Sequence, residues 1–251
     1  MGTRPTVDSI VKVALDTSTE VGNRCARVLL GETSVEYVGI VGDLIPSRRR
    51  SGPIKDLSAF DVLVSDGTKD FHTLMGRASV AGVPIVLWPE LSPHDDGAST
   101  VPVLHGANLA TTLTAALSTH PDAAVVPGDI VHVGWTEPGK PLRKGYPLTF
   151  PEPVGNVWST GRSEGSHVAF VDDEWGGAVI NIEGPGGRRI VGVSDHAAYL
   201  EAMVLAAVGL VAAEGTLEPA IASGTTRAEQ VLNKLAELEL EVAVWRSTDS
   251  Q

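Results

Sequence analysis

The first half of the chain alternates short apolar runs with stretches of helical periodicity. The predicted strands are Ile10–Leu15, Val35–Val41, Asp61–Val64, Val83–Leu87 and Val101–Leu104. The predicted helices between and after them are Val21–Leu30, Phe71–Ala81 and Asn108–Ser118. Continuous apolar strands separated by helices are typical of a parallel sheet that helices cover on both faces. The pattern therefore predicts an α/β fold.

The second half has a different pattern, with β-like runs that Gly and Pro interrupt. These runs are Val125–Val133, Val168–Val171, Ala178–Glu183 and Arg189–Val193. The segment Glu183–Gly187 predicts a hairpin turn, because its glycines can adopt positive φ. A very apolar helix, an amphipathic helix and a short strand follow, at Tyr199–Ala213, Arg227–Leu238 and Glu241–Trp245.

The composition shifts near Pro121–Gly128, and we place a domain boundary there. Residues 1–127 are predicted to form a Rossmann-like dinucleotide-binding domain with a parallel sheet. Residues 128–251 are predicted to form an α+β domain for substrate binding and oligomerisation. Whether the last helix and strand return to the first domain stays open.

Charge and cysteine content exclude several classes of protein. The 251 residues carry a formal net charge of −12, and the pI near 4.9 argues against nucleic-acid binding, which needs a basic surface. Cys25 stands alone, which excludes an intramolecular disulfide and a multi-cysteine zinc site. His94–Asp96 lacks a distant partner ligand, so we predict no metal site.

Without a signal peptide or a membrane-length apolar run, the chain is predicted to be soluble, cytoplasmic and active on small molecules.

The first strand–helix turn is where dinucleotide-binding domains keep Gly-x-Gly-x-x-Gly, whose glycines let the backbone approach the pyrophosphate. Counting back from Gly22, Thr19 and Thr17 occupy the first two glycine positions. Their hydroxyl and backbone N–H groups can still contact a phosphate, although their side chains narrow the approach. The predicted cofactor contacts in this turn are Thr17, Ser18, Thr19, Val21 and Gly22.

Two features downstream extend this prediction. Asp43 lies 21 residues beyond Gly22, where an acidic residue can hold a ribose hydroxyl. Arg48 and Arg49 follow within a basic run and suit the 2′-phosphate of NADP. The alternatives are a solvated loop with balancing charges, and a Rossmann-like domain that has lost its cofactor.

The order of segments resembles the 4-hydroxy-tetrahydrodipicolinate reductase family and, more broadly, the two-domain NAD(P)-dependent dehydrogenases. The stretches that carry the likeness are Val11–Leu30, Asp61–Gly67, Val83–Leu87, Val101–Asn108 and Arg189–Ala213. Asn108 matches the asparagine of an alanine-proline-asparagine turn that this family places beside the nicotinamide, whereas Gly106 and Ala107 depart from its neighbours. The family's histidine pair with its lysine and serine-glycine-threonine stretch is missing from Val131–Gly145, so the family's own substrate is not expected.

Three residues are candidates for catalysis. His105 follows the fifth predicted strand, where a histidine can act as a general acid or base. Asn108 flanks the nicotinamide in the resemblance, and Lys140 is placed to orient an anionic substrate. The leading hypothesis is an NAD(P)-dependent oxidoreductase that transfers a hydride between the cofactor and a small carbonyl, imine or enoyl substrate. A non-catalytic dehydrogenase-like binding or assembly protein and a cofactor-free isomerase or lyase remain open, and fold-level analogy favours a homo-oligomer.

Overall fold

The computed structural model describes residues 10–41, 50–67, 71–91, 99–163, 165–215 and 221–247. The strands of the first half belong to one parallel sheet, sheet A. Within these residues sheet A has seven strands in the order β13-β6-β5-β4-β1-β2-β3, all paired in parallel. The strands are β1 (Val11–Asp16), β2 (Val35–Ile40), β3 (Ser51–Pro53), β4 (Val62–Ser65), β5 (Ile85–Leu87), β6 (Val103–His105) and β13 (Ile221–Ser223). The direction of winding reverses between β1 and β4. Open α/β sheets bind ligands at the carboxyl ends of the strands at such a point.

The helices of the first half lie close to their predicted positions. They are α1 (Glu20–Gly31), α2 (Phe71–Ala81) and α3 (Thr114–Ser118). The helix predicted to run from Asn108 begins instead as a π-helical turn, Leu109–Leu113, before α3. The Thr112 hydroxyl donates to the Gly106 carbonyl at 2.6 Å, and the Asn108 carbonyl accepts from the Leu113 backbone N–H at 3.1 Å. These bonds accompany the wider turn at the start of the helix.

The second half forms a mixed sheet, sheet B. Within the described residues its strand order is β14-β12-β11-β7-β10-β9-β8, with β7 and β10 parallel and the other neighbours antiparallel. The strands are β7 (Ile130–Pro138), β8 (Tyr146–Thr149), β9 (Asn156–Ser163), β10 (Ser166–Val171), β11 (Trp175–Gly184), β12 (Gly187–His196) and β14 (Ala243–Ser247). The predicted hairpin is present, since Gly184 pairs with Gly187, whose φ is +95°.

One predicted strand is displaced. The run predicted from Val125 becomes a strand at Ile130, because Gly128 adopts a φ of +94° and a turn precedes the strand. The Asp129 carboxylate closes this turn by accepting from the Val126 backbone N–H at 3.0 Å. The short or polar strands β3, β8, β9 and β13 had no predicted counterpart.

The longest helix, α4 (Ala197–Glu214), forms the centre of the protein. It contacts β1, β4 and β5 of sheet A and β11 and β12 of sheet B. No membrane-length apolar run was predicted, yet α4 is long and apolar enough to cross a membrane; 67% of it is buried inside the protein. It is therefore a core helix. The amphipathic α5 (Ala228–Glu237) packs on α4 and α3, while β13 and β14 give one strand to each sheet.

Candidate active site

A carboxylate lies in the turn where the carboxyl ends of β1 and β4 meet. Asp66 directly follows β4 and is 2% exposed. Among the described residues its Oδ2 accepts four hydrogen bonds: from the Thr17 hydroxyl at 2.6 Å, and from the Ser18 N–H, the Thr19 N–H and the Thr19 hydroxyl at 2.9 Å each. Converging N–H and O–H donors at the N-terminus of a helix form an anion-binding site. The first turn therefore holds an anion that the chain itself supplies.

The local sequence fixes the shape of this turn. Thr19 is the N-cap of α1, and its hydroxyl accepts from the Gly22 N–H at 3.3 Å. Thr17 is 1% exposed, and its side chain lies directly on Gly22, where a Cβ would overlap it. In this structure the space above Gly22 is therefore filled by a side chain.

The structure brings four of the five residues predicted for this turn together: Thr17, Ser18, Thr19 and Gly22. Val21 instead faces the hydrophobic core and is 9% exposed. Asp66 lies in the stretch Asp61–Gly67 that carries the family resemblance, but no role was predicted for it. An acidic residue directly after a buried strand was the available signal.

The residues predicted to hold the ribose and 2′-phosphate, Asp43, Arg48 and Arg49, lie outside the described residues. Arg50, at the end of the same basic run, has a structural contact. Its guanidinium donates to the carbonyls of Leu30, Glu32 and Val35, and so joins the end of α1 to the start of β2. Cations near a helix C-terminus stabilise its free carbonyl groups.

The loops after β5 and β6 are joined by two of the predicted catalytic residues. The Asn108 side chain accepts from the Thr111 N–H at 2.9 Å and donates to the Trp88 carbonyl at 3.2 Å. The His105 Nδ1 accepts from the Leu91 N–H at 3.4 Å. Both side chains therefore lie at the carboxyl edge of sheet A, where they hold the two loops together.

Lys140 lies apart from this pair, on the turn that follows β7. Its side chain is exposed, and within the described part of the chain it forms no hydrogen bond or ion pair. A role in substrate orientation stays a prediction for this residue.

A carboxyl group from α4 reaches the same pair of loops. Glu201 Oε2 accepts from the Trp88 indole Nε1 at 2.8 Å, and the carboxyl group also accepts from the Leu109 backbone N–H. Burial raises the pKa of Glu201 to about 7, and the two hydrogen bonds limit the rise. A carboxyl group with such a pKa can give or take a proton at neutral pH.

Glu201 was missed from the sequence, where it lies near the start of the most apolar helix. A single acidic residue in such a helix was the signal, because an unpaired buried carboxylate is costly. Its partner Trp88 is 113 residues away in the chain, so no local pattern joins the two.

The buried Asp16 also lies at this edge, where its Oδ2 accepts from the Ser65 hydroxyl at 3.3 Å, whereas a histidine pair lies on sheet B. His132 Nδ1 and His167 Nε2 are 3.0 Å apart on sheet B, and the Tyr146 ring stacks on His167 with centroids 4.5 Å apart. Burial raises the pKa of the Cys25 thiol well above its ordinary value, so this thiol is not a nucleophile. No group of three metal-ligating side chains occurs in the described residues, and His94–Asp96 lies outside them.

Comparison with known proteins gives structural neighbours only. No protein-family model and no curated protein matches the chain. Dipicolinate-bound dihydrodipicolinate reductase from Paenisporosarcina sp. TG-14 aligns with a TM-score of 0.51 at 11% identity, over 86% of this chain and 98% of that one. Homospermidine synthase from Legionella pneumophila, in complex with NAD, aligns with a TM-score of 0.57 at 8% identity, over 97% of this chain and 93% of that one. The chain thus has the predicted two-domain fold of the NAD(P)-dependent dehydrogenases, with a Rossmann-type parallel sheet and a second mixed sheet.

Proposed function

We propose that this protein, whose fold is that of the two-domain NAD(P)-dependent dehydrogenases, is an NAD(P)-dependent oxidoreductase acting on a small carbonyl, imine or enoyl substrate. The observation that carries the proposal is the anion-binding turn at the reversal point of sheet A. Its donors come from Thr17, Ser18 and Thr19, at the place where this fold binds a pyrophosphate. The Asp66 carboxylate is the stand-in anion that tests the fit of these donors.

Each end of the proposed site has its own residues. The first turn and the N-terminus of α1 would hold the pyrophosphate. A nicotinamide, when bound, supplies or accepts the hydride. Glu201 holds a proton beside Trp88 and Leu109. It would give this proton to the oxygen of a carbonyl, the nitrogen of an imine or the α-carbon of an enoyl group, while the hydride goes to the other atom of the double bond. Asn108 and His105 keep the surrounding loops in place, which preserves the position of the Glu201 carboxyl group.

The choice between NADP and NAD depends on the basic run. We propose that Asp43 holds the ribose and that Arg48 and Arg49 contact a 2′-phosphate, because a guanidinium pair binds a phosphate dianion well. The Arg48→Ala and Arg49→Ala variants are expected to weaken NADPH binding much more than NADH binding. Equal loss for both cofactors would contradict this assignment.

The first experiment is calorimetric titration of the purified protein with NADPH and with NADH. Micromolar binding of either cofactor is the expected result. Absence of binding at millimolar concentration would refute the proposed function. Substrate turnover is then measured with Glu201→Gln, which is expected to bind the cofactor normally and to lose at least a hundredfold in kcat, the range for removal of a general acid.

A non-catalytic dehydrogenase-like protein is the second candidate. The specific observation in its favour is that Asp66 and Thr17 fill the turn that a pyrophosphate would enter. This candidate predicts no cofactor binding by the wild-type protein and a ligand of another kind at the same edge. Turnover that depends on Glu201 would exclude it.

Assembly and location are further proposals. The homo-oligomer expected from the fold is tested by size-exclusion chromatography with light scattering, for which a monomer would be the contrary result. The cytoplasmic location is tested by fractionation of cells that express the protein.

A further inference from the structure

Several hydrogen-bond donors of the first turn point at the same position, and the Asp66 carboxylate occupies it. Four hydrogen bonds from described residues converge on a single oxygen, Oδ2, at distances of 2.6 to 2.9 Å. We propose that Asp66 is an internal competitor of the dinucleotide phosphate and lowers the affinity of the turn for it. The identity of the ligand rests on the proposed function, whereas the competition for an anionic oxygen rests on these contacts.

The two anions exclude one another for a geometric reason. A phosphate oxygen that binds to Ser18 N–H, Thr19 N–H and the Thr17 hydroxyl must occupy the position of Asp66 Oδ2. Asp66 and Thr17 are buried, so the carboxylate and a phosphate at contact distance would repel each other strongly. Asp66 must therefore leave the turn before the phosphate binds.

The backbone around Asp66 holds the carboxylate in its blocking position. The Ser65 hydroxyl accepts from the Gly67 N–H at 3.1 Å, and Gly67 adopts a φ of +74° against the Pro89 ring. A Cβ at Gly67 would overlap that ring, so the tight turn is specific to glycine. Because this turn fixes the backbone, the carboxylate leaves by rotation of its own side chain, and the Thr17 hydroxyl stays in place as a donor.

Because of this competition, an anion binds to the turn only if it can displace the Asp66 carboxylate. A ligand with one weakly held anionic oxygen does not displace a carboxylate with four hydrogen bonds. A diphosphate, which has two charged groups, competes more strongly for the same donors.

The test compares Asp66→Ala and Asp66→Asn with the wild-type protein. Asp66→Ala frees all four donors, and it is expected to bind inorganic pyrophosphate and NADPH at least tenfold more tightly. Asp66→Asn keeps a neutral acceptor in the turn without the charge, and an intermediate gain is expected. Binding is measured by calorimetry, with the amide shifts of Ser18 and Thr19 as the marker of position.

The matched control is Asp61→Asn. Asp61 precedes the same strand, β4, and its Oδ2 accepts from the Lys12 N–H at 2.7 Å. This substitution removes one charge of the same sign from the opposite end of the strand. No change in pyrophosphate or NADPH affinity is expected, so a general charge effect would appear in both variants.

The outcomes separate this inference from the proposed function. Pyrophosphate binding at the turn of Asp66→Ala, without NADPH binding by any variant, would support the competition and refute the cofactor. NADPH binding by the wild type that is no tighter in Asp66→Ala or Asp66→Asn would support the cofactor and refute the competition. Absence of binding in every combination would refute both. If Asp66→Ala does not fold, Asp66→Asn decides the result alone.

Discussion

At the scale of single residues, the Glu201 carboxyl group lowers the stability of the folded state at the neutral pH at which it can donate a proton. Its pKa rises from 4.5 to about 7 because burial disfavours the charged form. The folded state therefore binds more protons than the unfolded state between these two values. The contribution of Glu201 to stability is therefore expected to be most favourable below about pH 4.5. It becomes less favourable as the pH rises to about 7.

The Glu201→Gln variant removes this penalty while keeping an acceptor for the Trp88 indole. We expect it to be more stable than the wild type at pH 8, by up to about 3 kcal/mol, since one pKa unit corresponds to about 1.4 kcal/mol. The difference should vanish by pH 4.5. Urea unfolding at both pH values measures it, with the exposed Glu229→Gln on α5 as the control. An equal gain at both pH values would contradict the assignment.

His167 gives the opposite pH dependence. Burial, and then the neighbouring His132, lower the pKa of His167. The unfolded state therefore binds more protons below about pH 6.5, and the stability that neutral His167 contributes is lost as the pH falls through its folded pKa. Two more charged groups act on this cluster, because Glu183 and Arg188 both affect the pKa of Tyr146.

The His167→Phe variant keeps a ring against Tyr146 and cannot be protonated. It should lose less stability than the wild type between pH 7.5 and pH 5.5, as measured by urea unfolding. The His72→Phe control on the exposed face of α2 should leave the loss unchanged. If His167→Phe loses as much stability as the wild type over this pH range, groups other than His167 cause the loss.

The strand–helix pattern and the comparison with Gly-x-Gly-x-x-Gly predicted that Thr17, Ser18 and Thr19 lie in the first turn, where the structure has them; their contact with a cofactor stays a prediction. Asp66 contacts them from 47 to 49 residues away, through the strand order of sheet A. Periodicity carries no information on such pairs. The contacts of Asp66 and Glu201 therefore became visible only in three dimensions.

At the scale of elements, the packing of α1 on β1 depends on one glycine. Gly22 lies beneath the Thr17 side chain, which a Cβ at this position would overlap. Apolar strands and capped helices of this kind were predictable, because burial and capping leave local patterns. Strands β3, β8, β9 and β13 were not, because they are short or largely exposed and carry little alternation.

The Gly22→Ala variant is expected to lose about 1–3 kcal/mol, the cost of overpacking a tight contact. Gly31→Ala is the matched control, since nothing lies within 4 Å of a Cβ at this end of the same helix. It should be neutral or slightly stabilising. A second change, Thr17→Gly in the Gly22→Ala background, removes both the hydroxyl and the Cβ that overlap the new methyl group and should restore part of the loss. Absence of any rescue would contradict the Thr17 contact.

At the scale of the whole molecule, one hydrophobic core joins the two sheets. The largest cluster of buried residues includes side chains from β1 and β4 of sheet A, from β11 and β12 of sheet B, and most of α4. The sequence separated two halves by composition, and that boundary stays a prediction. Composition cannot reveal that a single helix is buried against both halves.

This shared core predicts that the two sheets unfold together. Leu205, in the middle of α4, is fully buried, and Leu205→Ala is expected to cost about 2–5 kcal/mol through lost burial and a residual cavity. Because α4 contacts both sheets, the whole loss should appear in one transition. Far-UV circular dichroism and tryptophan fluorescence should therefore shift to the same lower urea midpoint. Val80→Ala, at a side chain that is 92% exposed on α2, is the control and should change stability by less than about 0.5 kcal/mol. Two separate transitions, of which Leu205→Ala moves one alone, would show that the sheets have independent stability and that α4 belongs to only one of them.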